Sequence, residues 1–199
     1  MVVFITIRHK REDLEVYAEN LNRVTVSLLE YLAMGLGLER GREFAEAFLD
    51  GHYYTRMSCY PPCPEPEKAI GIAKHCDISA ITYLLECGDV PGLQVRKDDR
   101  WVFVQPVENS LVVNIGQILE IMSNGIYKAA EHRAVVDSLQ ERISISTFCY
   151  PDSNADIAPA DELTGSENPA LFKSVKFSEY LNTFYRRNID TPFLDCFKL

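Results

Sequence analysis

Residues 142–148, Arg-Ile-Ser-Ile-Ser-Thr-Phe, alternate polar and apolar side chains almost without interruption. Successive side chains of a β-strand point to opposite faces. Arg142, Ser144 and Ser146 therefore share one face, and Ile143, Ile145 and Thr147 share the other. A simple sandwich core would bury the apolar face and wet the polar one. A polar face turned inward instead suits the mouth of a barrel that carries a site. Other segments also read as short strands. Leu93-Gln94-Val95-Arg96 and Trp101-Val102-Phe103-Val104 form a hairpin joined by residues 97–100, and residues 111–115 look like a buried strand. Gly125 turns the chain before a strand carrying His132. The pattern predicts a mainly β protein with flanking helices around a double-stranded β-helix, or jelly-roll, core.

The same parity picks out a second constellation. In His75-Cys76-Asp77, an extended backbone points His75 and Asp77 one way and Cys76 the other. With His132 they make two imidazoles and a carboxylate. That is the ligand set of a facial triad, which holds Fe(II) and leaves coordination positions open for chemistry. A structural zinc site would normally close with four ligands and more sulfur. A lone His-x-Asp arises often by chance, and the weight here lies in the combination with Arg142-Ile143-Ser144. A guanidinium close to such a centre can anchor an anionic co-substrate, because its planar fork meets a carboxylate with two parallel hydrogen bonds.

The chain has 199 residues, enough for one domain with a substantial core. Its 47% apolar content excludes a disordered or collagen-like class. The net charge of −9 argues against nucleic acid, which needs clustered Lys and Arg. The start MVVFITIRHK lacks the order of a signal peptide, and no apolar stretch approaches the ~20 residues that span a bilayer. No membrane partner is expected, and the location is read as cytoplasmic. The six cysteines (Cys59, Cys63, Cys76, Cys87, Cys149 and Cys196) are accordingly read as reduced thiols, with Cys59 and Cys63 structural.

Residues 13–36 place Leu14, Tyr17, Leu21, Val24, Leu28 and Leu32 at three- and four-residue steps, predicting an amphipathic helix stopped by Gly35 and Gly37. A short helix follows, with Phe44, Ala45, Phe48 and Leu49 on one stripe and Gly51 at its end. Pro61, Pro62, Pro64 and Pro66 forbid helix and predict an extended entry to the core. Residues 151–169 are loop-rich, and residues 178–187 read as a closing helix. The domain division is residues 1–50 as a helical segment, then residues 51–152 and the following strands to 199 as one jelly-roll domain.

Five ordered segments carry a resemblance: RMSCYPPCPEPEKAIGIAKHCD from Arg56, then VPGLQVRKDDRWVFVQPV, VVNIG, SNGIYKAAEHR and ERISISTF, with His75-x-Asp77 and His132 inside them. The chain resembles the plant-type 2-oxoglutarate- and Fe(II)-dependent dioxygenases, from about Arg11 to Phe193 and most densely over residues 56–148. The resemblance implies Fe(II) on His75, Asp77 and His132. It implies 2-oxoglutarate as co-substrate on Arg142 and Ser144, with a phenolic hydrogen bond from Tyr60, and ascorbate as reductant. Cys76 then stands where relatives carry Ser or Thr, and Ser58 where they carry Asn. Asn114, Gly116, Asn124 and Gly125 match structural positions. Phe148 matches a position that can face substrate, although a core role serves it equally well. His9 and His52 match nothing.

By that resemblance the chain would be an oxidoreductase. It would use O2 and a small plant metabolite, hydroxylate by default, and release succinate and CO2. Residues 1–10 match nothing in the family, whose members carry a longer N-terminal region; the resemblance therefore implies an N-terminally short member, with self-association through exposed barrel surface. Two alternatives stay open: an Fe(II) oxidase of the same fold that uses no 2-oxoglutarate, and a catalytically impaired fragment acting through binding.

Overall fold

The strand expected from alternation is β8 (Arg142–Tyr150), and it sits at the centre of the larger sheet. In the computed structural model, residues 11–38, 41–188 and 191–199 are described; the apolar run at residues 1–7, the start at residues 1–10 and His9 lie outside them. β8 is flanked by β1 (His52–Tyr60) and β3 (Ile81–Cys87), and β3 by β6 (Val112–Ile115), all antiparallel. A second four-stranded antiparallel sheet runs β2 (Ile72–His75), β7 (His132–Ala134), β4 (Leu93–Lys97), β5 (Arg100–Phe103). Side chains of both sheets line one cleft. This is the two-sheet jelly roll. A two-stranded ribbon, β9 (Asp156–Ile157) with β10 (Val175–Lys176), follows the core.

The polar face of β8 turns inward as the alternation requires. Arg142 and Ser144 are buried while Ile143, between them, is exposed. The outer face of the larger sheet is covered in part by α1 (Arg11–Gly35), whose buried row is Leu21, Thr25, Leu29 and Ala33. The expected stripe was turned by about one residue from this. Leu14 and Val24 are exposed, and Thr25 is buried because the sheet offers it hydroxyl partners. Thr25 Oγ1 lies 3.2 Å from Tyr83 Oη, and Tyr17 Oη lies 3.1 Å from Thr147 Oγ1. Apolar periodicity alone is blind to a helix that docks partly through hydroxyls.

Other local expectations shift in similar ways. In the second helix, α2 (Gly41–Glu46), and the turn after it, Phe44, Ala45 and Phe48 are buried but Leu49 is exposed. The β4–β5 hairpin closes more tightly than expected, since Lys97 pairs with Arg100 and leaves a two-residue turn. Asp98 (φ 48°) and Asp99 (φ 60°) there adopt the left-handed conformations of a primed turn, which short acidic side chains tolerate. The strand expected to be buried at residues 111–115 is instead a sheet edge, with Leu111 and Val113 exposed. A short helix, α3 (Gln117–Met122), follows it. The closing helix is α4 (Phe177–Arg186), whose Tyr180 packs against Phe193 and Phe197 in an aromatic cluster.

Candidate metal centre and the cleft around it

β2 ends at His75, and Cys76 and Asp77 continue beyond the ladder. The parity expected of a strand still operates. His75 and Asp77 both line the cleft, while Cys76 Sγ turns away to within 3.5 Å of the Ala129 carbonyl. Burial pushes the Cys76 thiol up to about 11, which disfavours the thiolate that a metal would need. His132 opens β7 directly opposite His75, and the two rings lie 4.4 Å apart between centroids.

The tautomers follow from the hydrogen bonds. His75 Nδ1 lies 2.8 Å from the Ala73 carbonyl and His132 Nδ1 lies 3.0 Å from the Ala130 carbonyl. A carbonyl only accepts, so in each neutral ring Nδ1 carries the proton and Nε2 presents its lone pair. Both Nε2 atoms face Asp77 Oδ1, at 3.5 and 3.6 Å. The ligand atoms of His75, Asp77 and His132 all lie within 4.8 Å of one another. Asp77 is buried, and its Oδ2 has no hydrogen-bond partner. A buried carboxylate oxygen left unpaired is costly, and a divalent cation among these three donors would satisfy it. The donor set therefore fits Fe(II). Burial by itself would raise the Asp77 pKa, but without a metal the hydrogen bond that protonated His75 donates from Nε2 and the positive charge of a protonated His132 outweigh it and hold the carboxyl below its ordinary value. The same hydrogen bond raises His75.

Backbone contacts fix the turn that carries Asp77. Gln117 N–H donates to the Asp77 carbonyl (2.8 Å), Gly116 N–H to that of Ala80 (2.8 Å), and Tyr180 Oη to that of Ile78 (2.9 Å). A Cβ on Gly116 would fall 2.0 Å from the Ser79 carbonyl oxygen, so only glycine permits this approach. Asn114 reaches the cleft from β6. Asn124 (φ 49°) and Gly125 (φ 79°) turn the chain toward β7, and the Asn124 amide is held between Pro169 and Leu171.

Across the cleft, Arg142 stands opposite Tyr60 in the β1–β8 register, with its guanidinium carbon 5.1 Å from the centre of the phenol ring. Arg142 is 4% exposed, and Nε and Nη1 have no hydrogen-bond partner. Nη2 donates to Glu86 Oε1 at 2.5 Å. Ser144 lies two residues along the same face, and Phe148 further out, 6.2 Å from the Tyr54 ring. All six residues expected to bind metal or co-substrate, with Phe148, thus line one cleft.

Two neighbours escaped the sequence. Glu86 is the penultimate residue of a mostly apolar strand, ITYLLEC, on the parity of Thr82 and Leu84. A carboxylate at the end of a buried run facing Arg-x-Ser was the available signal. Gly92 packs against Arg142, where a Cβ would lie 2.4 Å from Cδ. Nothing in sequence marks that.

Residues 48–151 match the 2OG-Fe(II) oxygenase superfamily. The chain is 40% identical over 190 residues to codeine O-demethylase of Papaver somniferum, covering 95% of this chain and 53% of that protein. It is 37% identical over 192 residues to the protein SRG1 of Arabidopsis thaliana, again 95% against 53%. Among solved structures it is similar to JOX2 in complex with 2OG, Fe and JA, with a TM-score of 0.88 and 35% identity over 100% of this chain and 59% of that one. The chain spans about half the length of the relatives it matches.

Proposed function

The chain belongs to the 2OG-Fe(II) oxygenase superfamily, and from that membership we propose that it is a 2-oxoglutarate-dependent oxygenase that oxidises, by default hydroxylates, a small plant metabolite. The observation that carries this reading is the shared cleft: three metal-type donors at one wall, and a buried guanidinium with unpaired N–H groups at the other. When bound, Fe(II) supplies the redox chemistry by which O2 and 2-oxoglutarate become succinate and CO2 while the second oxygen atom enters a substrate C–H bond.

The protein's own part is positioning. His75 and His132 offer Nε2 because Ala73 and Ala130 hold their Nδ1 protons. Asp77 supplies the anionic ligand from a turn clamped by Gln117 and Tyr180. Arg142 and Ser144 would take the distal carboxylate of 2-oxoglutarate, with the Tyr60 hydroxyl as a further donor. Phe148, toward the mouth, would meet the substrate. The direct test is 2-oxoglutarate consumption and succinate release by the purified protein with Fe(II), ascorbate and a metabolite panel. No 2-oxoglutarate turnover under any of these conditions would overturn the reading.

A second reading, an Fe(II) oxidase of the same fold that uses no 2-oxoglutarate, is favoured by one observation: Arg142 already holds a carboxylate, that of Glu86. Substrate oxidation that is indifferent to 2-oxoglutarate would select it.

Residues 51–199 form the jelly-roll unit in this reading, with residues 1–50 as its helical flank. Among the described residues no helix is long and apolar enough to cross a membrane. All six cysteines are free, which suits a cytoplasmic setting. Exposed Met57, Val113 and Ile143 on the outer face of the larger sheet support self-association. Sedimentation of Met57→Lys/Ile143→Lys should show a smaller species than the unaltered chain; unchanged sedimentation would exclude this surface.

A further inference from the structure

Glu86 lies opposite Ser144 across the β3–β8 ladder and turns its carboxylate into the same buried space as Arg142. Its side chain is 6% exposed and that of Arg142 is 4% exposed. One carboxylate oxygen meets Nη2; the other, Oε2, is buried without a partner, as are Nε and Nη1 of Arg142. The pair is half-satisfied on both sides. The guanidinium is also confined by Gly92 and by the Tyr60 ring, so it cannot turn away from Glu86 without disturbing both. Any anion that reaches Arg142 must approach a cation whose charge is already neutralised, with a second carboxylate beside it.

We propose that Glu86 is a specificity-determining residue that weakens the hold of this cleft on the distal carboxylate of a 2-oxo diacid, and so narrows the preference for 2-oxoglutarate over 2-oxo acids with uncharged tails. The inference rests on the reading of Arg142 as the co-substrate anchor. Two carboxylates sharing one guanidinium in a poorly hydrated space repel each other. Replacing Glu86 by Gln keeps an acceptor for Nη2 and removes the charge. A buried cation is then left uncompensated, which destabilises the empty protein but favours an incoming carboxylate.

The experiment is equilibrium binding of 2-oxoglutarate and of 2-oxopentanoate, which lacks the distal carboxylate, to the Fe(II)-loaded protein without oxygen, by calorimetry. Thermal melts accompany it. Glu86→Gln should bind 2-oxoglutarate about tenfold more tightly or better, bind 2-oxopentanoate unchanged, and melt lower when empty. The unaltered protein should prefer 2-oxoglutarate to 2-oxopentanoate by less than about tenfold; this arm needs no variant to fold. A preference above about a hundredfold overturns the proposal. So does an equal or weaker hold on 2-oxoglutarate in Glu86→Gln, or an equal gain for both acids, and these leave the oxygenase reading standing. Binding gained only in Glu86→Gln supports the proposal in its strongest form. If neither protein binds 2-oxoglutarate, the co-substrate reading itself fails and this inference falls with it.

Discussion

His75 and His132 are Cα partners across the β2–β7 ladder, and their rings meet 4.4 Å apart, each with Nδ1 fixed on a carbonyl two residues behind it. Two imidazoles in that relation, with Asp77 facing both, have a direct consequence for metal binding. Replacing His75, Asp77 or His132 with Ala should lower Fe(II) affinity by more than about a hundredfold and abolish turnover. Cys76→Ser should keep both, since its side chain points to Ala129. Equilibrium metal binding by the four variants checks this; loss of metal in Cys76→Ser would point to a thiolate site instead.

Arg142→Lys retains the charge and loses the fork. The 2-oxoglutarate concentration needed for half-maximal decarboxylation should rise about tenfold or more, with Fe(II) affinity unchanged. Parallel loss of iron would mean that Arg142 supports the fold and does not hold the co-substrate.

Gly92→Ala tests the same residue without touching it. The new methyl would sit 2.4 Å from Arg142 Cδ and 2.6 Å from Nε, so the side chain must move. Overpacking of this kind costs about 1–3 kcal/mol. A lower melting temperature and weaker 2-oxoglutarate binding, with metal affinity preserved, are expected. Unaltered binding would show that the clamp tolerates displacement.

Metal binding should weaken as the solution is acidified, and should begin to do so above pH 6.5. The hydrogen bond to Asp77 raises His75 above its ordinary value of 6.5, and a protonated ring cannot ligate. The sign reverses for the metal-free protein. A raised histidine contributes stability that is complete below its unfolded-state value and is lost as pH rises through the folded one. Titrating metal affinity and metal-free melting temperature over roughly pH 5.5–8.5 should give opposite slopes. Metal affinity that stays flat down to pH 6 would show that His75 is not a ligand.

Much of the site was legible because its grammar is that of strands. Period-two alternation put Arg142 with Ser144 and His75 with Asp77, and it survived even where Asp77 lies past the end of β2. What escaped was set by contacts between distant segments. Thr25 is buried through hydroxyl partners on β3, against its polarity. The strand at residues 111–115 is as apolar as a central one, yet the sheet ends there. Gly92 and Glu86 matter only because β3, β4 and β8 converge on one guanidinium, and convergence leaves no local mark in sequence.

The division of labour between the sheets has a mechanical side. His75 and His132 belong to the smaller sheet, and Tyr60, Arg142 and Ser144 to the larger. A small diacid held at both ends would be a strut across the gap between them, and its length would gauge that gap. The spacing between the sheets then becomes a tolerance on the reaction, set partly from outside by how α1 seats Tyr17 and Thr25 on Thr147 and Tyr83. Loosening a helix far from the metal would detune the cleft as surely as altering a ligand.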